Sequence, residues 1–256
     1  MTFDEFYPVA FYIEQTTMKK RNTFVLITCL TFILWLFIYI NQTTINSNAL
    51  ASVPNSGNIA DQPTSINFDL NRRSKVGFVY EAFLSPQQEP GEEKDTPSIT
   101  PKEFRSTAPS LLRNERKSRG YGVIRFTNDL SKAYVDVKVE NVNPKDVVMF
   151  HIHCGRPDQL GPILVDFAVA GNIQENIADG VFSVEINNAH IEKTSKSGHG
   201  IVGAFTVGCP IVPGTSDKVK TIAGMEYILQ KGELYFNLHT KGQTFYGDIR
   251  GQLHRA

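Results

Sequence analysis

The chain has 256 residues, room for one domain or two small ones, and its 26 basic residues balance 26 acidic ones. That neutrality excludes an electrostatic nucleic-acid binder, which needs a basic excess to displace counterions from phosphates. Small ligands and protein or glycan partners stay open.

Residues 1–22 carry no readable motif and are expected to be cytosolic. Met18 is a second candidate start, followed by Lys19, Lys20 and Arg21. Residues 23–40, TFVLITCLTFILWLFIYI, hold no charge. As a helix this run spans about 27 Å, close to a bilayer core of about 30 Å. Trp35 and Tyr39 lie toward its far end, where amphipathic rings favour the interface. A membrane anchor, a cleaved signal peptide and a buried core helix are the three readings. The length of the run and the distance to the small-residue site Ala49-Leu50-Ala51 favour the anchor. The basic cluster before the run keeps the N-terminus in the cytosol and exports the rest. Secretion after signal cleavage is the alternative.

Residues 41–74 are rich in Asn, Ser, Thr and Pro and read as a flexible linker. The sequon Asn41-Gln42-Thr43 touches the membrane edge, so chance occurrence is the favoured reading.

The folded part is expected over residues 75–254. Val76–Leu84 reads as a strand. Residues 85–118, with five prolines among many charges, read as a mobile, solvated insertion. Gly120–Thr127 and Ala133–Val142 follow as strands. In the second, Val135, Val137 and Val139 share one face, while Asp136, Lys138 and Glu140 share the other. Val147–Cys154 is a strand that places Val148, Phe150 and Ile152 on the apolar face and His151 and His153 opposite. Gly161–Ala170, Gly180–Ile186 and Gly200–Val207 read as further strands. Thr221–Lys231 is the one soluble helix expected, with Gly232 as its stop. Glu233–Thr240 and Phe245–Leu253 complete a hairpin. Its apolar side is Phe236, Leu238, Ile249 and Leu253, and its polar side is Tyr235, Asn237, His239, Asp248, Arg250 and Gln252. A tight turn would set Asn237 opposite Asp248 and Tyr235 opposite Arg250. The class is mainly β: an antiparallel sandwich or barrel with one short helix, preceded by a single transmembrane helix.

Four stretches carry a resemblance: His151-Ile152-His153-Cys154-Gly155, Gly161-Pro162-Ile163-Leu164-Val165, Gly232 to Thr240 (GELYFNLHT), and Gly247-Asp248-Ile249-Arg250-Gly251-Gln252-Leu253. In this order they resemble the CHRD domain, named for its repeats in chordin and also found alone in microbial proteins. Gln88-Glu89-Pro90 resembles a degraded form of the family's opening motif, and the likeness extends over about Val76–Leu253. The resemblance implies an extracellular β-rich domain. Chordin binds growth factors; for lone members the resemblance implies no settled activity.

His151, His153 and His239 form the candidate metal site if their strands are neighbours. Three neutral imidazoles suit copper or zinc, and His-x-His on a strand supplies two ligands from one face. Copper–zinc superoxide dismutase, another β-sandwich, uses a similar His-x-His strand, but its dense bridging-ligand region has no counterpart here. Asp166 or Asp248 is the candidate acceptor behind an imidazole. His190 and His199 are spare candidates in a Ser/Lys/Gly-rich loop. The competing reading makes the histidines part of a structural polar network with Asn237, Thr240, Asp248 and Arg250. No Ser/His/Asp order, phosphate loop or carboxylate pair marks a catalytic residue, and no organic cofactor is implied. Two cysteines of an exported domain, Cys154 and Cys209, are expected to close, and the resemblance agrees, since family members with Cys directly after His-x-His often carry a second Cys before the helix, as Cys209 does here.

Overall fold

The computed structural model describes residues 76–197, 206–211 and 217–256. The apolar run 23–40, the flanking segments 1–22 and 41–74, the sequon at Asn41, His199 and most of the strand expected at Gly200–Val207 lie outside the described residues. Among the described residues, no helix is long and apolar enough to cross a membrane.

The strands are β1 (Val76–Leu84), β2 (Arg119–Thr127), β3 (Lys132–Glu140), β4 (Val147–Cys154), β5 (Ile163–Asp166), β6 (Val181–Asn187), β7 (Leu234–Thr240), β8 (Ile249–Gln252) and β9 (His254–Arg255). One sheet runs β6-β3-β2-β1-β9 and the other β5-β4-β7-β8. Every paired strand is antiparallel. The protein is mainly β, in two antiparallel sheets, consistent with a sandwich. Alternation does the sorting: Val135, Val137 and Val139 of β3 are buried, while Asp136 turns out to meet Arg125 at 2.7 Å. Phe150 of β4 lies at the centre of the core. Its ring centroid is 4.9 Å from Phe167, 5.1 Å from Phe182 on the first sheet and 5.9 Å from Phe236 on the second. Each side chain of this kind contributes about 1.5–3 kcal/mol by leaving water.

Several expectations are corrected. Val148 is 39% exposed rather than inward, because a bulge between Val147 and Met149 gives Val147 the buried position. β5 stops at Asp166, whose side chain accepts from Ala168 N at 2.9 Å and starts a helical turn at Phe167. β8 is shorter than Phe245–Leu253, because the Phe245 and Tyr246 amides bond to the Glu93 carboxylate rather than to a strand.

Among the described residues, three α-helices appear where one was expected: α1 (Ile173–Asn176), α2 (Asn188–Lys196) and α3 (Ile222–Leu229). The third is the expected one, capped by Thr221 and ended by Gly232 at φ 69°. α2 buries only Ile191 and Thr194, so its apolar stripe is thin. Its start is made by a reciprocal cap: Asn187 Oδ1 accepts from Ala189 N, and Asn187 N donates to His190 Nδ1.

Residues 85–118 are not the solvated insertion that their prolines and charges imply. Glu89, Glu93, Thr100, Arg116 and Ser118 are buried. Arg116 donates to the carbonyls of Gly247 and Asp248, Ser106 Oγ accepts from Thr244 N, and Thr107 N donates to Lys241 O at 2.9 Å. These bonds strap the segment across the turn between β7 and β8.

Cys154, at the end of β4, is bonded to Cys209 with Cα atoms 6.0 Å apart and a sequence separation of 55. Closing a loop of that length contributes about 4 kcal/mol in the chain-entropy model. Cys209→Ser is therefore expected to lower the urea midpoint, with a somewhat steeper denaturant slope as the freed unfolded chain expands. An unchanged midpoint under non-reducing conditions would show that the bridge does not constrain the unfolded chain.

Candidate metal centre

β4 presents His151 and His153 to the side of the second sheet away from the Phe150 core, and β7 presents His239 to the same side. The register is Met149↔His239, His151↔Asn237 and His153↔Tyr235. His239 therefore sits diagonally from His151, within reach across the strand pair. Ring centroids are 5.2 Å apart for His151–His153, 5.3 Å for His151–His239 and 6.2 Å for His153–His239. One nitrogen from each ring lies within 4.8 Å of the others.

This face is not the exterior that its polarity implies. His151, His153 and His239 are 3%, 8% and 4% exposed. The strapped 85–118 segment covers the turn beside them, and the loop after Cys154 folds back over His153. That return requires glycine: a Cβ on Gly161 would lie 1.5 Å from Cys154 O.

Carbonyl acceptors fix the tautomers of His153 and His239. Gly161 O can only accept, so His153 Nδ1 donates to it at 2.8 Å and Nε2 keeps its lone pair. Thr244 O accepts from His239 Nδ1 at 3.0 Å, leaving Nε2 buried without a partner. His151 Nε2 faces the Asp166 carboxylate at 3.7 Å, which leaves Nδ1 toward His153 Nε2 at 3.3 Å. His151 Nδ1 and His153 Nε2 thus share one hydrogen bond, and His239 Nε2 is the ring nitrogen left without a partner. Two carbonyls and a carboxylate behind the rings are the kind of outer contact that metal-binding histidines use.

Burial disfavours the charged imidazoles, and the rings repel one another's protons. His153 is lowered to about 3 and His239 to about 4, and His151 is pushed well below the usual range. Burial raises the Asp166 carboxyl, opposed by its bond from Ala168 N.

The other expected residues distribute differently. The turn is longer than a tight hairpin, so Asn237 opposes Arg250 and Tyr235 opposes Gln252. Asp248 lies by Arg116, with Nη1–Oδ1 at 3.7 Å, so Asp166 takes the place behind an imidazole. Asn237 Nδ2 donates to Tyr246 O, and neither it nor Thr240 bonds to a histidine ring. Arg250 donates to the carbonyls of Gln159 and Arg156 and lies 3.4 Å over the Tyr235 ring. The other face of the aromatic system is engaged too, since His153 stacks on Tyr235 at 5.1 Å and 8°. Tyr235 OH in turn accepts from Gly161 N at 3.1 Å, so the loop that holds His153 is itself held. His190 caps α2 and is no ligand of this cluster. The roles of Gly161, Thr244, Tyr235 and Glu89 went unread. The backbone acceptors have no side-chain signal, and Glu89 was legible only as part of a degraded motif.

A family model for the CHRD domain matches residues 106–253, more than half of the chain. The chain belongs to the CHRD family. No curated protein and no solved structure matches it. The matched CHRD region contains all three histidines, Cys154, Cys209 and the β7–β8 hairpin. It begins after β1, which pairs with β2 and β9.

The buried rings give the metal-free CHRD domain a pH dependence with a definite sign. Unfolded histidines take up protons below about pH 6.5, whereas folded His239 and His153 stay neutral down to about 4 and about 3. Within that window the unfolded state binds more protons, so stability falls as pH falls. The loss is about 1.4 kcal/mol per pH unit for each such histidine. With metal stripped by a chelator, the urea midpoint at about pH 5 is expected to lie well below that at about pH 7, with His153→Gln showing a smaller difference. Equal pH dependence in the two chains would contradict neutral, buried rings.

Proposed function

We propose that this protein is a membrane-anchored, exported CHRD domain that acts as a non-enzymatic binding module, and that one of its ligands is a transition-metal ion of the copper or zinc type. Convergence of one nitrogen from each of three buried imidazoles within 4.8 Å, together with the unpartnered His239 Nε2, carries the metal reading. The neutral rings need not lose protons at pH 7 to bind. The Cys154–Cys209 bridge fits an oxidising compartment, and the apolar run at 23–40 after a basic cluster supports the anchor.

The test uses the full chain purified in detergent, loaded with copper or zinc sulfate and dialysed. One equivalent of metal per chain by elemental analysis is expected. A chain that folds, carries its disulfide and retains no metal would make the histidines a structural network only.

A second reading, a protein or glycan partner, is favoured by the exposed apolar residues Ile99, Leu111 and Leu112 on the strapped segment. Replacing these three by serine is expected to leave metal content unchanged, which separates the two activities.

A further inference from the structure

The donor set discriminates among metals. Among the described residues, the cluster holds three histidines and no cysteine or carboxylate. All three donors are neutral, so the site carries the full charge of its ion. The rings are buried, and the cost of burying a charge rises with its square, so a divalent ion costs about four times a monovalent one. Arg250 adds positive charge near His153. Asp166 offers no relief at the ion, because it faces the Nε2 edge of His151 while Nδ1 faces the cluster.

One further donor lies on the same face. Met149 is directly opposite His239 in the β4–β7 register and two residues before His151. Residues opposite each other across an antiparallel pair share a face, as do residues two apart on one strand. The register therefore places Met149 on the face that carries the histidines. Its thioether is soft and neutral, which suits copper(I) and does nothing for zinc, whose usual fourth ligand is a thiolate, imidazole, carboxylate or water.

We propose that the three-histidine site is built for copper(I), with the Met149 thioether as its fourth donor. This rests on the metal-binding reading above and narrows it to one ion and oxidation state.

The experiment uses the full chain in detergent, under nitrogen, with ascorbate to keep copper reduced while leaving the disulfide closed. Copper(I) buffered by bicinchoninate and zinc sulfate are offered in competition. The chain is expected to retain one copper(I) with about 100-fold preference over zinc. X-ray absorption is expected to show three nitrogen scatterers and one sulfur. Met149→Leu, close in volume, is expected to weaken copper(I) about tenfold and leave zinc binding unchanged. Preferential retention of zinc, a copper shell without sulfur, or a Met149→Leu chain with unaltered copper(I) affinity would overturn this inference while leaving a metal site in place. Retention of neither metal overturns both readings together.

Discussion

Arg250→Ala is expected to destabilise the domain by about 3–5 kcal/mol, the cost of losing two charge-assisted hydrogen bonds and a guanidinium packed on an aromatic ring. The Arg250 side chain is 1% exposed, as is Glu89. The guanidinium forks onto the carbonyls of Gln159 and Arg156 at 2.9 and 2.8 Å and covers the Tyr235 ring. Its charge also opposes the burial that drives the Glu89 carboxyl well above its ordinary value, an effect that Arg116 and Arg113 share. Alanine would remove a donor from the Gln159 and Arg156 carbonyls, expose a ring face and remove a counter-charge. The loop from Arg156 to Gly161 would lose its clamp, and with it the carbonyl that orients His153. Lysine is a poor rescue, because a point charge cannot reproduce the fork or the stacking. Equilibrium urea unfolding of both variants checks this. A loss below about 1 kcal/mol for alanine would show that the cluster is not paired as described.

His153→Gln and His239→Gln are each expected to weaken metal binding by about 100-fold or more, since each deletes one of three imidazole donors. Asp166→Asn, which removes the charge behind His151 while keeping an oxygen for Ala168 N, is expected to cost about 10–100-fold. The ordering is the informative part: ligand losses must exceed the outer-contact loss. Competition against a chromophoric chelator measures it, with circular dichroism confirming that each variant folds. Glutamine variants that keep wild-type affinity would place the ion elsewhere.

The parity of β4 and β7 was legible in the chain, because Phe150 and Ile152 alternate with His151 and His153, and Phe236 and Leu238 with Asn237 and His239. Strand adjacency, which brings His239 to the pair, was a condition and not a reading, since long-range pairing leaves no local signature. The bulge at Val147–Met149 and the long β7–β8 turn were invisible for a similar reason: both depend on where distant groups such as Glu93 find partners. α2 escaped because a polar helix with two buried residues has almost no apolar period. The cover over the histidines was misjudged most. Prolines and charges in residues 85–118 read as solvated, yet Glu93 and Arg116 serve as caps for backbone groups of a turn more than a hundred residues away.

The most direct measurement is diffraction from crystals of the copper-loaded chain on both sides of the copper absorption edge. A single anomalous peak within bonding distance of one ring nitrogen each of His151, His153 and His239 is the predicted result. A peak at His190 or His254 with none at the three rings, or no peak in a folded, loaded chain, would contradict the account.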